Sequence, residues 1–536
     1  METPKKKQSF LQGAALLASA VVIVKIIGAL YKIPLANIID DAGFGYFNNA
    51  YDIYSVLLMI STAGLPVAMS RMIAEANSLG RYGQIRRINQ TCLGIFLLLG
   101  GIGSILMTCF SRQLANALNS PDSWAAIQAL GPSALFMCVT SSFRGYFQGQ
   151  GDMAPTSISQ VLEAICKLFI GLGLAWFMMK TQESVPLAAG GAILGVTAGS
   201  LVAMVYLYFR YRKAASAIPK RRGPVLSLGD TTKQLMSIAV PITIGAAGLQ
   251  VITLIDTKLV LGQLTGPCGL TQAKADELKG IYSFTQTIFN LPCAFIAPIT
   301  ISVIPSITEF LTLKNFRAAR RTEESALRVL GLLIMPCAVG LVVLSSPILS
   351  LLRGYTGENL AIASRLLSVL GICVVFNSIV LLTNAMMQAH GHASLPVLNM
   401  FIGGIVKIIV NYILVGNPHV NIQGAPIGTL CCYICITVLN LYTMRKCVRK
   451  APDLVRCMFL PFVASILMGA ATFGAWKALS LATSSRIVLC GGPIVVAVAA
   501  YVLLVYKMKI ITYQDCMLLP KGEHIAKFLK VGRRYE

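Results

Sequence analysis

Apolar runs of roughly twenty residues follow one another along almost the whole chain, separated by short polar breaks. At about 1.5 Å per helical residue, each is long enough to cross a hydrocarbon core of about 30 Å. Inside hydrocarbon every backbone amide needs an internal partner, so these runs are expected to be helices. About fourteen spans emerge. In the first half they begin near Phe10, Tyr51, Gln90, Trp124, Ser157 and Ala188, and in the second near Lys233, Ile281, Ala326, Leu360, Pro396 and Gln423. Two more start near Arg456 and Arg486. The fold expected is an all-α polytopic membrane protein. Its parts are a six-helix lobe (1–213), a connecting loop (214–232), a second six-helix lobe (233–446), two further helices (447–510) and a basic tail (511–536).

The two lobes read as a duplication. Gln148, Gly151 and Lys167 recur as Gln388, Gly391 and Lys407 at a constant shift of 240 positions. Gly191, Ala192 and Gly195, with the closing pair Arg212-Lys213, recur as Gly424, Ala425, Gly428 and Arg445-Lys446 at a shift of 233. Glu75 after span two and Glu309 after span eight hold comparable places. Several matches in one order favour a true repeat. Six spans separate equivalent points, so the repeat is parallel, about an axis along the membrane normal. Two such bundles can rock about a central seam. Pro66, Pro241, Pro292, Pro298 and Pro336 offer bendable points, and Gly100, Gly101 and Gly103 permit close helix packing.

Composition then narrows the class. The chain of 536 residues is 56% apolar and 12% charged, with a net charge of +24. That charge is concentrated on one side of the membrane. Lys5–Lys7, Arg81, Arg86, Arg87, Arg210–Lys213, Lys220–Arg222, Lys314–Arg321, Arg445–Lys450 and the tail give that side roughly 29 Lys and Arg against about 7 opposite. Both termini are therefore expected in the cytoplasm, and the excess marks orientation and anionic lipid contact, not nucleic-acid binding. The first run, from Phe10, is too long for a signal peptide and reads as a retained helix. Most of the 15 cysteines lie in apolar spans as small hydrophobes, and Cys431, Cys432 and Cys435 lack metal-ligand neighbours. With no nucleotide fingerprint and no carboxylate pair outside the membrane, neither enzymatic activity nor a cofactor is expected.

Charges inside spans are the candidate functional residues, because they are costly unless they face water, a partner or a ligand. Lys25 lies mid-span, with Lys32 seven residues on and so on the same face. Arg71 closes span two and Arg144 span four. Glu163 and Lys167 are four apart and can pair along one face with Gln160. Asp256 and Lys258 lie late in span seven, and Lys407 lies midway along span eleven. Snorkelling to the surface competes as a reading of Lys32, Arg71 and Arg144, and a neutral structural pair as a reading of Glu163 with Lys167. Lys25, Arg71, Arg144, Lys167 and Lys407 are taken as candidate cavity residues for an anionic head group, with Glu163 and Asp256 as candidate ion or charge-pair sites. His390, His392, His419 and His524 fall in expected loops or the tail, where no proton relay is expected.

The segment SSFRGYFQGQGDMAPTSISQVLE (141–163) resembles the stage V sporulation protein B / polysaccharide biosynthesis family, within the wider group of MATE-like and MurJ-like flippases. GLPVAMSRMIAEANSLG (64–80), LPCAFIAPITISVIPSITE (291–309), Lys25-x-x-Gly28 and a turn at Gly43 to Gly45 add to the likeness. The resemblance implies a fourteen-helix flippase that moves undecaprenyl-diphosphate-linked sugars outward by alternating access. It also implies basic cavity residues in spans one, two and eight. Lys25 and Arg71 match the first two, whereas no Lys or Arg lies between Ile281 and Ile307, and Lys258 is the substitute considered. His390-Gly391-His392 replaces Gln150-Gly151-Asp152, so the two turns are expected to differ in function. The partners implied are the lipid-linked saccharide, the phospholipid bilayer and cell-wall synthesis enzymes, at the cytoplasmic membrane. A MATE-type sodium- or proton-coupled antiporter and a non-transporting scaffold are the competing readings. Sodium, protons and membrane potential all stay open as the drive.

Overall fold

The structure, a computed structural model, describes residues 10–216, 225–294, 296–392, 394–448, 451–512 and 515. Basic residues at 5–7, 220–222, 449–450 and 516–536, with His524, lie outside them. Among the described residues all regular structure is helical. Residues 1–284 form one compact unit and 285–536 a second. The first unit contains α1 (Phe10–Thr62), α2 (Leu65–Ser78), α3 (Tyr82–Cys109), α4 (Ser111–Ala117), α5 (Trp124–Gly149), α6 (Ala154–Gln182), α7 (Val185–Ser216), α8 (Leu228–Thr265) and most of α9 (Gln272–Ala294). The second contains the end of α9, α10 (Ile296–Thr312), α11 (Phe316–Val343), α12 (Ser345–Arg353), α13 (Gly357–Ala389), α14 (Ser394–Val415), α15 (Gly424–Cys447), α16 (Leu454–Ala482) and α17 (Arg486–Lys507).

Among the described residues, 12 helical stretches are long and apolar enough to cross a membrane, so the chain is a multi-pass membrane protein. One structural feature bears on the fourteen spans expected. Expected spans one and two fall in one continuous stretch, Ser19–Ser78. The break between them is not the Gly43–Gly45 turn but Asp40, with φ 56° and ψ −178° inside α1. Gly45 lies in the helix that continues and faces α9: a Cβ there would stand 2.9 Å from the Asp276 carbonyl oxygen. Expected span eight runs across α9 and α10, between which residue 295 lies outside the described residues. Pro241, Pro292 and Pro336 do lie inside helices. Pro66 instead sits in the first turn of α2, where the missing N–H leaves no helical bond unmade, and Pro298 lies in α10.

The duplication is matched turn for turn. After α5 the amides of Gln150, Gly151 and Asp152 donate to the carbonyls of Tyr146, Gln148 and Phe147. After α13 those of His390, Gly391 and His392 donate to Met386, Gln388 and Met387. Gly151 and Gly391 have φ of 78° and 84°, left-handed values that cost a side-chain-bearing residue energy, and this is why glycine recurs there. The ends of α2 and α10 agree likewise: Leu79, Gly80 and Arg81 bond to Glu75, Asn77 and Ala76, and Leu313, Lys314 and Asn315 to Glu309, Leu311 and Phe310. The left-handed residue is Gly80 in one and Lys314 in the other, with φ of 66° and 54°. Packing repeats too. A Cβ on Gly191 or Gly195 of α7 would meet Leu174 or Gly171 of α6, and one on Gly424 or Gly428 of α15 would meet Leu414 or Asn411 of α14.

The start of α9 is fixed by a polar knot. A Cβ on Gly280 would strike the Asp41 carbonyl, so glycine is what lets α9 cross α1 this closely. Beside the crossing Asp276 is fully buried; its carboxylate accepts from Ser120 Oγ at 2.7 Å and Gln272 Nε2 at 3.0 Å. Gln272 also donates to the Asn119 carbonyl at 2.6 Å, and the Tyr46 hydroxyl donates to Asp122 at 3.3 Å. Asp276 lies outside the expected span. Burial pushes its carboxyl from 3.8 up to about 6; the bonds from Gln272 and Ser120 pull it back, and the charge of Asp122 adds to the rise.

A carboxyl raised in the fold is held better protonated, so its contribution favours folding as pH falls through about 6 toward 3.8 and is lost as pH rises. Asp276→Asn is expected to flatten the melting temperature of the detergent-solubilised protein across that window; an equally steep profile in the variant contradicts this. Lys314→Gly should stabilise by about 1 kcal/mol by relieving a left-handed lysine. An unchanged melting temperature would show that the turn carries no such penalty.

Candidate functional site

In the first unit, α1 and α6 build an aromatic enclosure around Lys167. Tyr31 fits between α6 and α7 because Gly171 has no side chain: a Cβ there would stand 2.9 Å from the Tyr31 ring. Its hydroxyl donates to the Ala192 carbonyl at 3.0 Å. The Lys167 ammonium stands 4.9 Å from the Tyr31 centroid, 4.8 Å from Tyr51 and 6.0 Å from Phe47, and donates to the Tyr51 hydroxyl at 2.8 Å. Ring faces carry negative potential, so this lysine is stabilised by three aromatic rings and one hydroxyl. Glu163, four residues before it, does not pair with it.

Glu163 pairs instead with Arg144 of α5, Nη2 to Oε2 at 3.1 Å, while Arg144 Nε donates to Ser159 Oγ at 3.0 Å. The two side chains are 12% and 23% exposed, so Arg144 does not snorkel. At the matching positions of the second unit, Asn384 and Asn399 replace Arg144 and Ser159, and Gly403 replaces Glu163. There Asn440 donates to Asn384 at 2.7 Å and to Thr383 at 2.9 Å, and accepts from Asn399 at 2.9 Å. One lobe joins its helices with an ion pair and the other with neutral amides.

A third constellation joins α1, α8 and α9. The Thr257 hydroxyl donates to Asp52 Oδ2 at 2.6 Å and accepts from Lys279 Nζ at 3.1 Å. Lys279 also lies 5.8 Å from the Tyr282 centroid. Asp256, only 4% exposed, is engaged within the protein. Neither Asp52 nor Lys279 stood out in the sequence. A hydropathy boundary at Ile281 put Lys279 outside span eight, whereas α9 starts at Gln272. The available signal was Thr271, whose hydroxyl accepts from the Lys274 amide at 3.4 Å as a helix cap. The helix of expected span eight therefore carries a buried lysine, while the substitute considered, Lys258, is exposed on α8.

Lys25 on α1 and Arg71 on α2 are both exposed, and among the described residues neither has a hydrogen bond or ion pair, Arg71 with Glu75 included. Lys32 reaches Asn48 Oδ1 at 3.5 Å. Lys407 is half-buried on α14, in the second unit. Of the seven candidates, Arg144 and Glu163 are joined in an ion pair. In the second unit His390 stands in the turn that ends α13, as its C-terminal cap, with Nε2 at 2.7 Å from Oε1 of the buried Glu323 on α11.

Residues 10–311 match the polysaccharide biosynthesis protein family, and the chain belongs to that family. Residues 276–413 also match the MatE family. The chain is 28% identical to the uncharacterized membrane protein YabM of Bacillus subtilis (strain 168), over 98% of its own length and 97% of that protein. It is 25% identical to stage V sporulation protein B of the same organism, covering 96% and 98%, and 24% identical to its lipid II flippase MurJ, covering 86% and 87%. Among solved structures, lipid II flippase MurJ in an inward closed conformation superposes with a TM-score of 0.65 at 16% identity, over 94% of this chain and 100% of that one. An inward-facing multidrug resistance MATE transporter of the MOP superfamily gives 0.63 at 14%, over 81% and 97%. The fold is thus that of MATE and MurJ proteins, one of these relatives being named a lipid II flippase and one structural neighbour a multidrug resistance transporter.

Removing one partner of the Arg144–Glu163 pair leaves a largely buried charge unmet. Arg144→Met is expected to destabilise by about 3–5 kcal/mol, and the Arg144→Met/Glu163→Met double variant by clearly less. Equal loss in the two, read by thermal unfolding in detergent, would contradict a mutually neutralised pair.

Proposed function

We propose that this member of the polysaccharide biosynthesis protein family flips a lipid-diphosphate-linked saccharide, a peptidoglycan precursor or related polysaccharide unit, from the inner to the outer leaflet of the cytoplasmic membrane. The observation that carries the reading is the imbalance of available charge. Lys25 and Arg71 are exposed and unpaired on membrane helices, while the carboxylates Asp52, Glu163 and Asp256 of the same unit are engaged. A cation on a span is expensive unless it meets water or an anion. A diphosphate head group is such an anion, and the guanidinium of Arg71 suits its oxygens.

In this mechanism the lobes (1–213 and 233–446) rock to expose a cationic vestibule first to one leaflet and then to the other. The saccharide head group passes through it while the lipid tail stays in the bilayer. Lys407 contributes from the second lobe. Lys167 acts from inside its aromatic enclosure, fixing α1 against α6. Basic loops hold both termini in the cytoplasm, and cell-wall synthesis enzymes supply or receive the lipid. An inside-negative potential assists the outward movement of a head group with two negative charges by about 2.3 kcal/mol per charge per 100 mV.

The MatE match over residues 276–413 supports a second reading, an antiporter for cationic compounds. Such a carrier needs an accessible carboxylate, and the buried, engaged Asp256 weighs against it. Translocation of a lipid-diphosphate saccharide in proteoliposomes should fall at least about tenfold in Lys25→Ala and in Arg71→Ala, with folding retained, as the loss of one charge-assisted contact predicts. Undiminished translocation in both variants overturns the assignment. Efflux of a cationic dye that disappears on Asp256→Asn would establish the antiporter in its place.

A further inference from the structure

The turn that ends α13 carries a titratable pair at a place the first unit keeps neutral. His390 Nε2 and Glu323 Oε1, 2.7 Å apart, join that turn to α11. The Glu323 side chain is 1% exposed, and its second oxygen, Oε2, is buried with no hydrogen-bond partner among the described residues. The imidazole is 11% exposed, so one edge of it meets water. At the shift of 234 that relates Gly80 to Lys314, Glu323 corresponds to Asn89 of α3. At the shift of 240, His390 corresponds to Gln150. Asn89 is buried as well, and donates to the Tyr211 hydroxyl at 2.8 Å. Both halves thus bury a polar side chain at this level, and the second half makes it ionisable.

Among the described residues, the other charges around Glu323 are engaged or in water. On α11 itself Arg320 pairs with Glu324 at 2.7 Å and Arg328 with Asp515 at 3.1 Å. The Cys457 thiol of α16 is bonded to Arg328. Glu309 of α10, Arg445 and Lys446 of α15, Asp453 and Arg456 of α16 and Lys507 of α17 are all exposed, and His392 is half-buried in the same turn as His390. With a neutral imidazole, an ionised Glu323 therefore leaves a net negative charge buried on a single hydrogen bond, which burial strongly disfavours. One proton from water, placed on the ring or on the carboxyl, makes the pair neutral. Imidazole is the side chain whose charge ordinarily changes within about pH 5–8.

We propose that Glu323 and His390 form a proton-binding site, filled from the face that the proposed orientation turns to the cytoplasm, and that its occupancy gates transport. The gating rests on the function proposed above; the proton site does not. With the proton bound, the turn stays tied to α11. When the proton returns to water the tie weakens, because the buried carboxylate then has no matching charge. The next helix, α14, begins at Ser394 and carries Lys407, so releasing the turn releases the start of the helix that brings this cation to the head group. Transport is therefore slow at low pH on that face and fast at high pH.

The test reads backbone hydrogen exchange in the peptide around Gly391, in the full-length protein in nanodiscs, corrected for the intrinsic effect of pH on exchange. Exchange is expected to be about tenfold faster at about pH 8 than at about pH 6, the equivalent of one charge-assisted contact. His390→Gln, which copies the matching turn, and Glu323→Gln should each remove the difference, and either serves if the other fails to fold. His392→Gln should keep it. Translocation of a lipid-diphosphate saccharide in proteoliposomes, with equal pH on both faces, should rise with pH in the wild type and stay level in the two variants. An exchange difference that is absent from the wild type, or that survives both substitutions, overturns the proton site. A pH-dependent turn beside translocation that ignores pH overturns the gate. Translocation without any exchange difference removes the inference and leaves the proposed function standing. A pH-dependent turn in a protein that moves no lipid-linked saccharide removes the flippase reading and leaves the proton site.

Discussion

A charge placed in hydrocarbon must be met by something within reach, and that constraint organises the first unit. Arg144 and Glu163 neutralise each other across α5 and α6, Thr257 relays between Asp52 and Lys279, and Lys167 is met by three rings and a hydroxyl. These contacts draw α1 against α6 and α8, and α8 against α9. Once they are made, Lys25 and Arg71 are the intramembrane candidates left without a partner among the described residues. The functional proposal follows from that remainder rather than from the total charge.

The repeat separates scaffold from chemistry. Backbone turns and glycine-mediated helix contacts are preserved between the halves, down to the order of the turn hydrogen bonds and the left-handed glycine. The polar interior is not. The Arg144, Ser159 and Glu163 positions of one half correspond to Asn384, Asn399 and Gly403 of the other, so the same helix crossing is held by charge in one and by amides in the other. Amides carry no net charge whichever way they are arranged, whereas an ion pair broken during a conformational change leaves two charges to be met. At this one crossing the duplicated fold relies on charge in one half and on amides in the other.

Most of the architecture was legible in the sequence because hydropathy reports directly on what hydrocarbon tolerates. The features it missed depend on local geometry or on tertiary neighbours. Hydropathy implies a loop between spans one and two, yet a single residue in an unusual conformation, Asp40, divides them. Spacing offered Lys167 as the partner of Glu163, because neighbours along one helix are visible in sequence and a residue on the next helix is not. Lys279 was lost to a boundary drawn where the apolar run begins, although Thr271 marked an earlier helix start. Asp52 was passed over because its partner, Thr257, lies on another helix and carries no charge to suggest it.

The most direct measurement concerns where Lys25 and Arg71 point. In a background lacking native cysteines, Lys25→Cys and Arg71→Cys would be treated with a membrane-impermeant, charged thiol reagent, with and without a lipid-diphosphate saccharide. The account predicts that both thiols react from water and that the lipid slows both reactions. Thiols that react only with lipophilic reagents, unaffected by that lipid, would place these cations against the bilayer and contradict it.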